Sequence, residues 1–93
     1  MTMRELIHEL TVPLLDDAGN AYFRERVWGE EQAGGTWHGW IEFVSPDGDS
    51  VLSTERETTQ GRREALAYWA TGLEPEYLEG ALQRARYLAL TRG

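Results

Sequence analysis

The chain has 93 residues with no cysteine and no lysine. That length suits one domain, and the residue set rules out disulfides, thiolate nucleophiles, cysteine-held zinc or iron–sulfur clusters, Schiff-base lysines and P-loops. Nine arginines face sixteen acids for a formal charge of −7, a field that opposes the phosphate contacts on which nucleic-acid affinity depends, so no nucleic-acid partner is expected.

In chain order, the N-terminal "MTMRELIHEL" carries glutamates where a signal peptide needs an unbroken apolar stretch, and no run approaches the ~20 apolar residues of a membrane span. A cytoplasmic protein without membrane association is expected. Three turn-rich clusters follow, "DDAGN" at 16–20, "EEQAGG" at 30–35 and "SPDGDS" at 45–50. Each supplies the Gly, Asn or Asp that a chain reversal needs. The segments between them have period two, which predicts a four-stranded antiparallel meander.

Strand one, about residues 5–15, would set Leu6, Leu10, Val12 and Leu14 on one side, with Pro13 marking an edge because it cannot donate to a ladder. Strand two, about 21–29, sets Phe23 and Val27 on one face and Tyr22, Arg24, Arg26 and Trp28 on the other. Strand three, "TWHGWIEFV", sets Trp37, Gly39, Ile41 and Phe43 against His38, Trp40 and Glu42. Strand four starts at Val51, alternates Leu52, Thr54 and Arg56 with Ser53, Glu55 and Glu57, and ends near Thr58.

After Gln60 the period changes. "RREALAYWAT" at 62–71 places Ala65, Leu66, Trp69 and Ala70 at helical spacing, with Thr59 as N-cap and Gly72 as terminator. A second helix begins with Pro75 in its first turn and carries Leu78, Leu82, Ala85 and Ala89 in one stripe, and Gly80 inside it points to a close approach. Neither helix can bury its stripe alone. The fold class is therefore α+β, a four-stranded antiparallel meander followed by two C-terminal helices packed on one sheet face. One domain spans 1–93, with the meander in 1–58 and the helical pair in 59–91. The covered face would carry Leu10, Val12, Phe23, Val27, Trp37, Ile41, Phe43 and Leu52.

Two surfaces then stand out. The uncovered sheet face gathers Tyr22, Arg24, Arg26, Trp28, His38 and Trp40, with Glu42, Glu55 and Glu57 beside them. Trp, Tyr and Arg are the residue types enriched at interface hot spots. The same residues could also satisfy one another as a ladder of arginines, indoles and carboxylates. The second surface is the strand–helix corner "ERETTQGRRE", where Thr58, Thr59, Gln60, Arg62 and Arg63 would meet an anion at a helix start. The competing reading has Thr59 capping the helix while the arginines pair with Glu55 and Glu57.

Catalytic and metal signals are thin. His38 with Glu55 or Glu57 is the one conceivable general-base set, and a flat sheet face would exclude little water from it. His8 reads as a partly buried structural residue. No H-x-x-x-H spacing occurs, and "PDGD" at 46–49 lacks the later ligands of a calcium loop. No metal and no cofactor are expected, and no residue is assigned as catalytic.

The segments "GWIEF", "STERETTQ" and "YWATGLEPEYLEGAL" resemble those of small uncharacterised bacterial proteins, in which a Gly-Trp strand precedes a Thr-rich junction and a Tyr-Trp-Ala helix. That likeness spans about residues 37–85 and implies no activity, ligand or catalytic residue. The sequence as a whole points to an interaction or regulatory protein that binds a protein partner, or a second copy of itself, through the aromatic and arginine face. The alternatives are a small anionic-ligand binder or weak enzyme at the 58–63 corner, and an acidic inhibitor of a nucleic-acid-binding protein. The last is motivated by the placement of ten acids against three arginines in residues 1–50.

Overall fold

The computed structural model describes residues 3–92. Among these residues seven strands form where the sequence predicts four: β1 (Glu5–Leu10), β2 (Leu14–Leu15), β3 (Ala21–Tyr22), β4 (Arg24–Glu31), β5 (Trp37–Val44), β6 (Val51–Ser53) and β7 (Thr58–Gln60). Helices α1 (Arg63–Thr71) and α2 (Pro75–Arg92) follow. The main sheet is antiparallel in the order β1-β4-β5-β6, with β7 also paired to β5, while β2 and β3 make a separate two-stranded ribbon. The class is the α+β arrangement expected, with the extra strands produced by three breaks. No helix among the described residues is long and apolar enough to cross a membrane.

Each break has a local cause. Pairing of β1 with β4 stops at Leu10, and Pro13, which has no N–H to give, lies in the crossing to β2. Phe23 separates β3 from β4, and because the chain changes partner there, the in–out alternation restarts. Tyr22 is consequently a core residue at 4% exposure and Phe23 stands 51% exposed, the reverse of both expectations. The third break loops out Glu55 and Arg56, since the chain from Ser53 to Thr58 spans only Glu42 to Gly39 on its partner. The loop is pinned on both sides by Thr54 N–H to the Ile41 carbonyl at 2.9 Å and Glu57 N–H to the Gly39 carbonyl at 2.7 Å. A further register shift between Leu6 and His8 sets Leu6 opposite Trp28 and leaves it exposed, off the apolar side assigned to it.

The core lies between the sheet and the helices. Val27, Ile41 and Phe43 meet Ala70 of α1 and Leu78, Ala81, Leu82 and Ala85 of α2, while Leu14 and Tyr22 from the ribbon close one end. Ala89, expected in the α2 stripe, is exposed. Near α1, Gly29 and Gly39 are register partners, and a Cβ on either would lie 2.5 Å from a Leu66 methyl. The missing side chains therefore make the seat into which Leu66 is completely buried, a burial that contributes roughly 1.5–3 kcal/mol. Gly80 serves differently from the backbone approach expected of it, because a Cβ there would meet only the Arg84 guanidinium at 3.4 Å.

Candidate functional site

Pairing in β4 and β5 sends Val27, Gly29, Gly39 and Ile41 to the core and their neighbours to the outer face, where register lines them up in rows. Leu6, Trp28 and Trp40 form the central row across β1, β4 and β5. Glu30, His38 and Thr59 flank it on one side, and Glu9, Arg26, Glu42 and Ser53 on the other. Arg24 lies in the last row, opposite Val44. Trp28, His38, Trp40 and Arg26 are half-buried and Arg24 is exposed. Both helices lie on the opposite face, so no element among the described residues covers these rows.

The polar groups here hold one another. Arg26 donates from Nε to Glu9 at 3.1 Å and from Nη1 to Glu42 Oε1 at 3.3 Å, and the same oxygen accepts Trp28 Nε1–H at 3.2 Å. The bond to Glu9, joined by those to Glu42, raises the Arg26 guanidinium above its ordinary pKa. Arg4 stacks over the Trp28 ring, 4.1 Å from its centroid. The exposed Arg26–Glu9 pair contributes about 0–1 kcal/mol to stability. The larger effect of these contacts is positional, since an indole held by its N–H and by a cation on its face keeps little freedom to lose on binding.

Of the residues assigned to this face, Arg24, Arg26, Trp28, His38 and Trp40 lie on it and Tyr22 does not. Glu55 and Glu57 also leave it, because the looped-out segment carries them toward α2. Glu55 pairs with Arg92 at 3.5 Å. Glu57 accepts the Tyr77 hydroxyl at 2.6 Å and Arg84 Nε at 3.1 Å. Burial, with the bond to Glu57, pushes the Tyr77 hydroxyl up to about 12, and the Tyr77 ring meets Trp69 edge-on at 6.0 Å. His38 pairs with Thr59 in the ladder, and neither glutamate joins it as a general-base partner.

The corner is also rearranged. Thr58, Thr59 and Gln60 are strand β7, opposite Gly39, His38 and Trp37, so Thr59 does not cap α1. Arg62 is the N-cap residue, extended and without a side-chain cap bond. The Thr58 hydroxyl accepts Gln60 Nε2–H at 2.7 Å, and Arg63 is paired to Glu5 at 2.7 Å. Of the two arginines at this corner, Arg62 makes no ion pair among the described residues, and it lies beside Glu64 in the first turn. The ten acids of residues 1–50 are likewise largely occupied: Glu5, Glu9, Glu42, Asp16 and Asp17 lie within 4.0 Å of an arginine, and Glu25 is fully buried. No group of three or more His, Asp or Glu among the described residues could hold a metal ion.

Glu25 is the polar residue that sequence reasoning missed. Its exposure is 0%, its Oε1 accepts the Val12 N–H at 3.0 Å, and its Oε2 is buried with no hydrogen-bond partner. Burial pushes its carboxyl up to about 7, against the smaller opposing effect of the Val12 bond. The signal was present, because strict period two places residue 25 between Phe23 and Val27 on the core-facing side of the strand.

Compared with models of protein families, with curated proteins and with solved structures, the chain matches none of them.

Proposed function

We propose that this chain is a small interaction protein that docks a protein surface through the outer face of β1, β4 and β5. The centre is Trp28 and Trp40, with Arg24, Arg26 and His38 around them. One observation carries the reading: the helices close a single face of the sheet, and the cross-strand Trp28–Trp40 pair is left half-exposed on the other. A half-exposed apolar row with a polar rim has the anatomy of an interface. The Arg26–Glu42–Trp28 bonds fix the Trp28 indole before any partner arrives, which lowers the ordering cost of docking.

A second copy of the chain is the occupant best matched to this face. Arg4, Arg24 and Arg26 are balanced there by Glu9, Glu30 and Glu42, whereas the chain as a whole carries −7. A balanced face can lie on itself about a two-fold axis while the rest of an acidic surface repels.

Sedimentation velocity over a micromolar concentration series tests this. The wild type is expected to shift toward a dimer as concentration rises, and Trp40→Ala to weaken the association by about 30-fold, the loss of a hot spot of roughly 2 kcal/mol. A strict monomer throughout, or a dimer indifferent to Trp40→Ala, contradicts docking of a second copy on this face.

A further inference from the structure

The ribbon of β2 and β3 belongs to neither the main sheet nor the helices. Its turn is internally rigid: Asp16 accepts the backbone N–H groups of Ala18 and Asn20 at 2.9 Å and the Asn20 side-chain amide at 3.1 Å, and Gly19 takes a φ of 84°. Burial raises the Asp16 carboxyl, but those bonds, with Arg86 nearby, outweigh it and leave it below its ordinary value. The ribbon can therefore move as one piece. Its ends suit hinges, with Thr11 and Pro13 exposed on one side and Phe23 exposed on the other. A hollow of about 530 Å³ lies against them, lined by Thr11, Pro13, Phe23, Arg24, Ser45 and Pro46.

Two polar ties hold this piece down. One is Arg86, within 3.7 Å of Asp16 and 4.0 Å of Asp17, and the other is the Val12 N–H on Glu25. Leu14 and Tyr22 add apolar contact. The second tie depends on the state of the carboxyl beneath it. A neutral carboxyl with one bond and one unpaired oxygen is tolerated in a core, whereas an anion there needs several donors or water. Glu25 Oε2 has none. The register partners of Glu25 are Leu10 and Phe43, which have nothing to donate through their side chains.

We propose that residues 11–22 form a pH-gated flap, held shut over neutral Glu25 and lifted to admit water when that carboxyl ionises. The other titratable and charged groups around the site make neither a hydrogen bond nor an ion pair with it. From the flap these are Asp16, Asp17 and Tyr22, and from α2 Arg86, which is held by both aspartates. From β1 there is His8, opposite Val27, and Glu9, which pairs with Arg26 on the outer face. Arg24 and Arg26 of β4 and Glu42 of β5 also lie on that outer face. The direction of the switch follows from proton linkage. The closed flap keeps the Glu25 proton up to about pH 7, and a solvated glutamate releases it near the ordinary value of about 4.3. Closure is therefore complete in acid, weakens through the interval between those values, and levels off above neutrality.

Amide hydrogen exchange of the full chain between pH 5 and pH 8, expressed as protection factors, reads this directly. Protection of Val12, Asp16 and Asn20 is expected to fall by roughly 70-fold across the range while β4 and β5 fall much less. Glu25→Gln, which keeps an acceptor for Val12 but does not titrate, is expected to flatten the profile. Flap protection that is constant in the wild type, that falls only in step with β4 and β5, or that keeps its pH dependence in Glu25→Gln, overturns the proposal. Should the variant fail to fold, the wild-type profile and the carboxyl ¹³C titration of Glu25 decide. An inflection near neutrality supports the latch, and one in the ordinary glutamate range refutes it.

Discussion

Glu42 and Glu25 sit on adjacent strands, one on each face of the same sheet, and both are shielded from water, at 8% and 0% exposure. Glu42 receives a guanidinium and an indole N–H on one oxygen. Glu25 receives one backbone N–H and leaves its second oxygen empty. The contrast shows that shielding alone does not decide what a buried carboxyl does. Donors turn Glu42 into the anchor of a fixed aromatic surface, and their shortage turns Glu25 into a group whose charge the fold cannot accept.

The comparison can be sharpened first by setting a scale for pure packing on the core face. Leu66→Ala removes the side chain seated between Gly29 and Gly39 and is expected to cost about 3 kcal/mol in urea denaturation, a cost independent of pH. Next comes the pH dependence of the flap. The Glu25 carboxyl is raised to about 7 when the flap is closed, so the closed state binds the extra proton, and the associated stability is present in acid and lost as pH rises. Between pH 5 and pH 8 closure in the wild type should lose about 2.5 kcal/mol on this account, while global unfolding loses much less, because the open flap lets Glu25 ionise with the sheet intact. Glu25→Gln should not show that loss, and an equal loss in the variant would break the contrast.

Much of this was legible from the sequence, and the failures share a cause. Inside β4 and β5 the ladder is continuous, so period two correctly sorted Val27, Ile41 and Phe43 from Arg26, Trp28, His38 and Trp40. At Phe23 the chain changes partner and the alternation restarts, which no periodicity count can foresee, so Tyr22 was assigned to the wrong face. Thr59 carried a sound capping signal, yet pairing of Thr58–Gln60 with β5 took precedence and moved the helix start to Arg63. Glu25 was misleading in the other direction: its position was legible and its charge argued against it.

On the outer face the expected effects are smaller. Glu42→Ala removes an acceptor from both Trp28 and Arg26 and should cost about 1–2 kcal/mol. Arg4→Ala, which strips the cation from the Trp28 ring, should cost about 0.5–1 kcal/mol and change the indole fluorescence. A Glu42→Ala cost as large as that of Leu66→Ala would mean that the outer face contributes to folding as much as the core does, against its reading as a surface held ready for a partner.

The functional claim rests on which face of the sheet is used. Recording ¹H–¹⁵N spectra of the labelled chain over a dilution series addresses it residue by residue. Concentration-dependent shifts concentrated on Trp28, Trp40, Arg26 and His38, including the two indole N–H signals, are the predicted result. Shifts centred on α1 and α2, or none at any concentration, would contradict self-docking through this face.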